Sequence, residues 1–400
     1  MLDAYIYDGL RTPFGRHAGS LATVRADDLA AEVIRALVGR SPFATEQIED
    51  VILGSTNQAG EDSRNVARFA ALLAGLPVTV PGQTVNRLCA SGLAAALDAA
   101  RAITCGEGEL FVTGGVESMT RAPFVMGKAQ SPFSREAKIF DTTLGTRFPN
   151  PKMTAVYGDH SMPQTGDNVA REFGISREDA DRFAAASQAK YARAKAEGFY
   201  LGEILPVTIQ SGRKSPPTIV SEDEHPRADS TLEALSSLKS LFEGGVVTAG
   251  NASGINDGAA ALLVGSRAVG ERVGAKPMAR ILSGAASGVE PRIMGVGPVE
   301  AIRKALDRSK LTLADMDIIE INEAFATQML GCLKLLEIDF GDSRVNPNGG
   351  AIAIGHPLGA SGSRLALTVA RELQRRQGRY AVVSLCIGVG QGLAVVLERV

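Results

Sequence analysis

Apolar residues recur along the first 120 residues, and again from about residue 275 to 400, with the periods typical of alternating strands and helices. The first stretch predicts strands over residues 4–10, 50–54, 83–86 and 109–115, and helices over residues 27–37, 65–76 and 90–103. The second stretch predicts, in the same order, strands over residues 279–285, 317–322, 344–349 and 380–386, and helices over residues 298–306, 324–336 and 361–373. This recurrence indicates an internal duplication.

The two stretches can be aligned residue by residue. The segment LCASG, which begins at Leu88, matches LGASG, which begins 270 residues later at Leu358, and an amphipathic helix follows each of them. The same offset pairs Val112 with Val382 without a gap. We therefore predict an α/β protein made of two similar halves packed face to face.

The residues between the two stretches show no regular pattern of apolar positions, and some segments are rich in proline and charged residues. Helices are predicted there only over residues 177–197 and 232–238. Irregular chain of this length in a compact protein is usually either functional or disordered. We therefore predict three parts: an N-terminal half over residues 1–120, completed by about 249–272; an inserted loop domain over 121–248; and a C-terminal half over 273–400.

The charge balance excludes some classes of partner. The chain has 42 basic and 44 acidic residues and a formal charge of -2, so nothing draws it as a whole to nucleic acid or acidic lipid. Its N-terminus lacks the basic and apolar regions of a signal peptide, and no apolar run approaches the roughly 18 residues of a membrane span. We expect a cytoplasmic protein with neither nucleic acid nor membrane as partner.

The four cysteines are too few and too scattered for a disulfide framework, and no CxxC pair indicates zinc, so we expect no metal site. Cys105 and Cys332 are interpreted as packing residues. Cys89 follows a short predicted strand at the first turn of a helix, whose dipole favours a thiolate. The dipole contributes about 0.3–1 kcal/mol, whereas lowering a thiol pKa below 7 takes about 2 kcal/mol. Cys89 is therefore either a nucleophile with a partner base or a buried packing residue.

Polar residues of three other segments could join Cys89. His356 lies in a glycine-rich loop before the counterpart of the Cys89 helix, so convergence of the two helix N-termini would bring the imidazole to the thiol; a structural capping histidine is the alternative. Cys386 ends a strand before the glycine-rich turn IGVGQG, whose N–H groups can face a ligand; a structural cysteine at a strand end is the alternative. Asn322 either caps a helix or orients a water. Ser253 and Asn256 could bond an amide of a ligand.

Five motifs carry a family resemblance: NRLCASG, NASGINDGAA, NEAF, NPNGGAIAIGHPLGASG and LCIGVGQG, in this order along the chain. On them the sequence resembles the thiolase family over its whole length. The resemblance implies the thiolase fold, a layered αβαβα arrangement of two halves with an inserted loop domain. It also implies dimers or dimers of dimers, acyl-CoA substrates, and CoA as a co-substrate with no permanently bound cofactor.

The resemblance also implies roles for single residues. Cys89 would be the nucleophile that forms an acyl-thioester, His356 would hold its proton, and Cys386 would be the second acid and base. His356 with a water held by Asn322 would stabilise one oxyanion, and the N–H groups of Cys89 and Gly388 the other. Contacts with substrate or CoA would come from Ser253, Met162, Ala324, Phe325 and Arg147.

Within the family, the segments DTTLGTRFPNP and SMPQT and the Val-Gly-Gln of the last motif look most like thiolases that cleave 3-oxoadipyl-CoA to succinyl-CoA and acetyl-CoA. The terminal carboxylate of that substrate needs a cation or strong donors. Arg147 is the first candidate, with Lys152 and His160 as second choices. Arg147 could instead bind a phosphate of CoA or be a solvated loop residue.

Other activities remain open from the sequence. The nearest are an acetoacetyl-CoA thiolase and a general thiolase for short or medium 3-ketoacyl chains. A non-catalytic acyl-CoA carrier of the same fold could dispense with Cys89, His356 and Cys386, yet all three are present. A condensing enzyme that depends on a carrier protein is disfavoured, because that chemistry normally has histidine in place of the second cysteine.

Overall fold

The computed structural model describes residues 1–210, 212 and 215–400. The elements up to residue 118 are β1 (Ala4–Arg11), β2 (Gly15–Arg16), α1 (Ala26–Arg40), β3 (Asp50–Gly54), α2 (Val66–Leu73), β4 (Gly82–Val85), α3 (Ser91–Cys105) and β5 (Leu110–Ser118). The next are β6 (Phe124–Met126), β7 (Ile139–Asp141), α4 (Pro151–Tyr157), α5 (Met162–Phe173), α6 (Arg177–Ala196), β8 (Val207–Ile209), β9 (Thr218–Val220) and α7 (Leu232–Ser236). The last are β10 (Asn256–Gly265), α8 (Arg267–Val273), β11 (Ala279–Gly288), α9 (Gly297–Ser309), β12 (Ile318–Ile321), α10 (Ala326–Leu335), α11 (Ala351–Ile354), α12 (Leu358–Arg376), β13 (Tyr380–Ile387) and β14 (Gln391–Arg399).

Hydrogen bonds join the main strands into one sheet in the order β12-β13-β14-β11-β1-β10-β5-β3-β4, with β2 added beside β10. β5 pairs parallel with β3 and antiparallel with β10. In the same way, β13 pairs parallel with β12 and antiparallel with β14. The two halves meet where β1 pairs antiparallel with β11, from Ala4 opposite Ile281 to Ile6 opposite Ala279. The prediction of two similar α/β halves is therefore confirmed, and the sheets of the two halves are joined edge to edge.

The buried apolar side chains divide the structure into five layers. Helices α3 and α12 lie between the two parts of the sheet, where Leu97 and Leu365 belong to one apolar cluster with strand residues of both halves. Ile34 of α1 packs in a second cluster on the outer face of the first half. Ile302 of α9 packs in a third cluster on the outer face of the second half. The layer order is therefore αβαβα, as the resemblance implied.

One stretch, contrary to the expectation from sequence, is long and apolar enough to cross a membrane. It is Leu88–Cys105, which has 18 residues and a mean hydropathy of 1.3. However, 67% of this stretch is buried inside the protein, and its helix α3 packs against α12 and β5. The apolar composition is therefore explained by a position in the central layer.

The strand predicted over residues 344–349 does not form. Only Val345 bridges Ile319 of β12, and the side chain of Asn346 then replaces backbone pairing. Its Oδ1 accepts the N–H of Ile321 at 2.9 Å and its Nδ2 donates to the carbonyl of Ile321 at 2.8 Å. The next residue, Pro347, has no N–H to continue a ladder. The amide side chain of Asn346 thus forms the hydrogen bonds with the backbone of β12 that the predicted strand would have formed.

Several elements were not predicted, namely the ten-residue strand β10, the short strand β2, helices α4, α5, α8 and α11, and the hairpins β6–β7 and β8–β9. Helix α5 has a signal that could have revealed it. The backbone N–H of Ser161 donates to Oε1 of Gln164 at 2.8 Å, which is half of a capping box, and Pro163 stands in the first turn. The sequence Ser-Met-Pro-Gln therefore marks a helix start.

A buried ion cluster ties residues 119–255 to β1. The guanidinium of Arg11 is fully buried and contacts Glu203 at 2.6 Å and Asp223 at 2.6 and 2.9 Å. Asp223 also accepts the N–H of Phe14 at 2.9 Å and the hydroxyl of Tyr191 at 3.2 Å. Because removal of one member leaves an unpaired buried charge, this cluster anchors the part of the segment around Glu203 and Asp223 to β1.

The glycines where β5 meets α12 generate a stability prediction. A Cβ on Gly115 would overlap the carbonyl oxygen of Gly359, whereas a Cβ on Gly39 in α1 would lie in open space. We expect Gly115→Ala to lower the free energy of unfolding by about 1–3 kcal/mol through overpacking. The control Gly39→Ala should be neutral or stabilising by up to about 1 kcal/mol. Urea unfolding measures both, and equal stability of the two variants would contradict the packing argument.

Candidate active site

Cys89 lies on the turn between β4 and α3. Leu88 before it has a φ of 45°, a left-handed conformation that is costly for a residue with a side chain. The hydroxyl of Ser91 holds the turn, because it accepts the N–H of Arg87 at 2.8 Å and donates to the carbonyl of Leu88 at 2.6 Å. Helix α3 begins at Ser91 with Ala90 as its N-cap, so Cys89 precedes the helix. The prediction that Cys89 lies in the first turn of the helix is therefore wrong.

The environment of Cys89 keeps the resting group a thiol. Burial raises its pKa to about 11, and the carboxylate of Glu117 adds to the rise. Hydrogen bonds from the backbone N–H groups of Gly388 and of Cys89 itself act in the opposite direction. The structure therefore brings together Cys89 and Gly388, which the sequence had assigned to one oxyanion site.

His356 is held in the loop between α11 and α12. Its backbone N–H donates to Oδ1 of Asn256 at 2.9 Å, and its Nδ1 lies 2.6 Å from the hydroxyl of Ser361. Ser361 donates its own proton to the carbonyl of Pro357 at 2.8 Å, so it accepts from Nδ1–H of the imidazole. The free lone pair of His356 is therefore on Nε2.

Burial lowers the pKa of His356 to about 3, and the charge of Arg364 acts in the same direction. The imidazole is thus neutral at pH 7. Its Nε2 lies 3.4 Å from Nδ2 of Asn322, a fully buried residue just after β12. Among the described residues, Oδ1 of Asn322 has no hydrogen-bond partner, so it can accept one from a water or a ligand.

Cys386 lies near the end of β13, buried to 1% exposure. Burial raises its pKa well above the ordinary value, and the neighbouring Cys89 adds to this rise. Two residues on, Gly388 begins the turn to β14; a Cβ there would be 3.3 Å from Cδ1 of Leu88 and 3.9 Å from Sδ of Met162. The two cysteines therefore share one site, and Met162 lies at its side.

The residues predicted to contact substrate or CoA lie around Cys386, with one exception. Met162, Ala324 and Phe325 pack in the same small apolar cluster as Cys386. The backbone N–H of Ser253 donates to the carbonyl of Ala324 at 2.9 Å, so the NASG segment lies beside NEAF. The exception is Arg147, half-buried between β7 and α4, which makes no hydrogen bond or ion pair to the described residues.

Three interpretations of single residues change with the structure. Both polar groups of Asn256 serve the protein and not a ligand, because its Nδ2 donates to the carbonyl of Gly15 at 2.9 Å. Cys105 is exposed and is not a packing residue, whereas Cys332 is buried as expected. Sequence reasoning missed Ser361 and Glu117, since only the folded chain shows that they face His356 and Cys89.

Comparison with known proteins gives consistent matches over the whole chain. Residues 4–268 match the model of the thiolase N-terminal domain and residues 275–399 that of the thiolase C-terminal domain. The chain is 57% identical, over the full length of both proteins, to the beta-ketoadipyl-CoA thiolase of Acinetobacter baylyi and to the 3-oxoadipyl-CoA/3-oxo-5,6-dehydrosuberyl-CoA thiolase of Escherichia coli. The crystal structure of the Bacillus anthracis acetyl-CoA acetyltransferase is 38% identical and superposes with a TM-score of 0.93, covering 100% of this chain and 99% of that one. The chain therefore belongs to the thiolase family and is an acyltransferase.

Proposed function

We propose that the protein cleaves 3-oxoadipyl-CoA with CoA to give succinyl-CoA and acetyl-CoA, in a reversible reaction. The observation that carries this proposal is the convergence of Cys89, Cys386 and the N–H of Gly388 in one buried site, with a neutral His356 beside Asn322. The choice of substrate rests on the names of relatives that are 57% identical. Acetoacetyl-CoA and other short 3-oxoacyl chains are the competing substrates.

In the first step, the sulfur of Cys89 attacks the 3-oxo carbon of the substrate while its proton passes to Nε2 of His356. Because burial disfavours both thiolate and imidazolium, the proton moves during the attack and not before it. The N–H groups of Cys89 and Gly388 stabilise the oxygen on which negative charge develops.

In the second step, the bond between C2 and C3 breaks, and a succinyl thioester remains on Cys89. The departing acetyl-CoA carries the electron pair as an enolate, which takes a proton from Cys386. A water held by Oδ1 of Asn322, together with His356, stabilises the enolate oxygen. CoA then attacks the thioester, and the proton of its thiol passes to the Cys386 thiolate. Cys89 leaves with the proton that His356 holds, which releases succinyl-CoA and restores the resting enzyme. Ser253, Met162, Ala324 and Phe325 line the approach of the CoA thioesters.

We further propose the division into halves over residues 1–120 with 249–272 and over 273–400, and a loop domain over 121–248. We propose a cytoplasmic protein that associates with itself as a dimer or a dimer of dimers. An apolar surface supports the self-association: Phe69, Leu72 and Leu73 of α2 and Val78 are exposed beside β4, the edge of the sheet.

The role of Cys89 is tested by Cys89→Ser. A hydroxyl keeps the size of the side chain but has a much higher pKa than a thiol, so turnover should be abolished while the fold is retained. Mass spectrometry of the wild type mixed with acetyl-CoA should find an acetyl group on Cys89. Acetylation at Cys386 alone, or undiminished turnover of the serine variant, would contradict the assignment.

The role of Cys386 is tested by Cys386→Ala. This variant should still accept an acetyl group on Cys89, because that step needs only the thiol and His356. It should lose the exchange of the methyl protons of acetyl-CoA with deuterium, which requires a base at Cys386. Exchange at the wild-type rate, measured by NMR, would show that the role is wrong.

The substrate is tested by Arg147→Ala, with Arg135→Ala, a change of an exposed arginine in the same segment, as a control. If Arg147 binds the terminal carboxylate, kcat/KM for 3-oxoadipyl-CoA should fall roughly thirtyfold, which corresponds to about 2 kcal/mol, and acetoacetyl-CoA should be spared. Equal losses on both substrates would indicate CoA binding. No loss on either would indicate a solvated residue.

A further inference from the structure

The proposed enolate step needs Asn322 and Cys386 at the ends of two neighbouring strands. Strand β12, which ends just before Asn322, is the outermost strand of the sheet and has only four residues. On its inner side, the N–H of Asn322 donates to the carbonyl of Ser384 of β13 at 2.9 Å, two residues before Cys386. Because β12 is an edge strand, this position would otherwise depend on a single neighbouring strand.

Hydrogen bonds of its own side chain do not hold Asn322. Among the described residues, its Oδ1 has no hydrogen-bond partner, and its Nδ2 has only the 3.4 Å contact with Nε2 of His356. The orientation of this amide therefore depends on the backbone that carries it. Whatever holds that backbone also determines where the proposed water is bound.

Asn346 holds this backbone from the outer side of β12. Its side chain is fully buried, its Oδ1 accepts the N–H of Ile321 at 2.9 Å, and its Nδ2 donates to the carbonyl of Ile321 at 2.8 Å. Nδ2 also donates to Oε1 of Glu323 at 2.8 Å. Asn346 thus binds the residue before Asn322 and the residue after it.

The geometry at residue 346 requires asparagine. The backbone there has a φ of 40°, a left-handed conformation in which asparagine, aspartate and histidine are enriched among residues other than glycine. Of these, only asparagine supplies an acceptor for the N–H and two donors, one for the carbonyl and one for the carboxylate. Aspartate would keep the acceptor, lose both donors and place a second carboxylate beside Glu323.

Glu323 has further hydrogen bonds that do not involve Asn346. Its Oε2 accepts the hydroxyl of Ser187 at 2.6 Å and the N–H of Ile352 at 3.2 Å. Ile352 belongs to α11, which precedes His356. These bonds to the other carboxylate oxygen remain when the contact with Asn346 is lost, so Asn322 should be displaced more than His356.

We propose that Asn346 is a positioning residue that holds Asn322 in register with Cys386, and that it serves the enolate step and not the transfer of the acyl group to Cys89. This inference rests on the proposed function, in which Asn322 acts on the enolate oxygen. It can fail while the proposed function holds, because the role of Asn322 is read separately from Asn322→Ala.

The test compares two rates measured with acetyl-CoA alone. One is the acetylation of Cys89, followed by mass spectrometry, and the other is the exchange of the methyl protons of acetyl-CoA with deuterium, followed by NMR. Asn322→Ala should lower exchange about a hundredfold and acetylation much less. Asn346→Asp should lower exchange about tenfold and acetylation by less than about threefold, because it displaces the amide without removing it.

The matched control is Asn251→Asp. Asn251 is also fully buried, its Oδ1 accepts the N–H of Thr248 at 2.8 Å, and its Nδ2 donates to the carbonyl of Val246 at 3.0 Å and to Oδ1 of Asp181 at 2.9 Å. The change removes the same kinds of hydrogen bond, so urea unfolding should show a similar loss of stability. Since both rates use acetyl-CoA, the ratio of exchange to acetylation should stay at the wild-type value.

The double variant Asn322→Ala with Asn346→Asp shows whether Asn346 acts through Asn322. If it does, the second change should not lower exchange further once the amide is absent. Asn346→Gly keeps the left-handed backbone and removes the amide, so it should lower the ratio as well and serves as a second variant if aspartate prevents folding.

Three results would overturn the proposal: a wild-type ratio in Asn346→Asp or Asn346→Gly, an equal fall of the ratio in Asn251→Asp, or two effects that multiply in the double variant. An unchanged exchange rate in Asn322→Ala would contradict the proposed role of Asn322, and the inference with it.

Discussion

The close contact between α3 and α12 is the constraint on which the site depends. A Cβ on Gly92 would lie 2.6 Å from the carbonyl oxygen of Gly359, and one on Gly362 would overlap the backbone N of Leu93. Backbone approaches this close require glycine at these positions. Because the two helices are equivalent in the duplicated halves, their contact brings the segments before them, with Cys89 and His356, to the same region. The duplication thus creates a site that neither half contains.

Burial in this region determines how the chemistry begins. A buried environment disfavours an ion pair of thiolate and imidazolium at rest, which agrees with the raised pKa of Cys89 and the lowered pKa of His356. The fixed polar groups are backbone N–H donors and the amide of Asn322, whose orientation costs nothing at the moment of reaction. These groups are therefore placed to stabilise negative charge that develops on the substrate during the reaction. The mechanism does not need a permanent thiolate on Cys89.

The sequence predicts the parts of the structure that depend on periodicity and on the repeat. The offset of 270 residues aligns β5 with β13 and α3 with α12, and from it follows the prediction that Cys89 and His356 lie in the same region. The predictions that were wrong failed because of local side-chain hydrogen bonds, which the periodicity of apolar residues does not reveal. The side chain of Asn346 forms hydrogen bonds with Ile321 where a strand was predicted. The side chain of Asn256 forms its hydrogen bonds with the backbone of His356 and Gly15 and not with a ligand. Glu117 could not be identified from the sequence, because an acidic residue at the end of a strand has no distinctive pattern.

The proposed catalytic groups and Arg147, the first candidate for recognition of the substrate carboxylate, belong to different parts of the molecule. Cys89, Asn322, His356 and Cys386 lie at the ends of elements in the two halves, which share the buried core. Arg147 comes from residues 119–255, where large apolar side chains are often exposed, Phe124 to 74% among them. Side chains that are loosely packed can change at little cost in stability, whereas a change in the central layer disturbs the contact of α3 with α12. A change at Arg147 should therefore cost less stability than a change in the central layer.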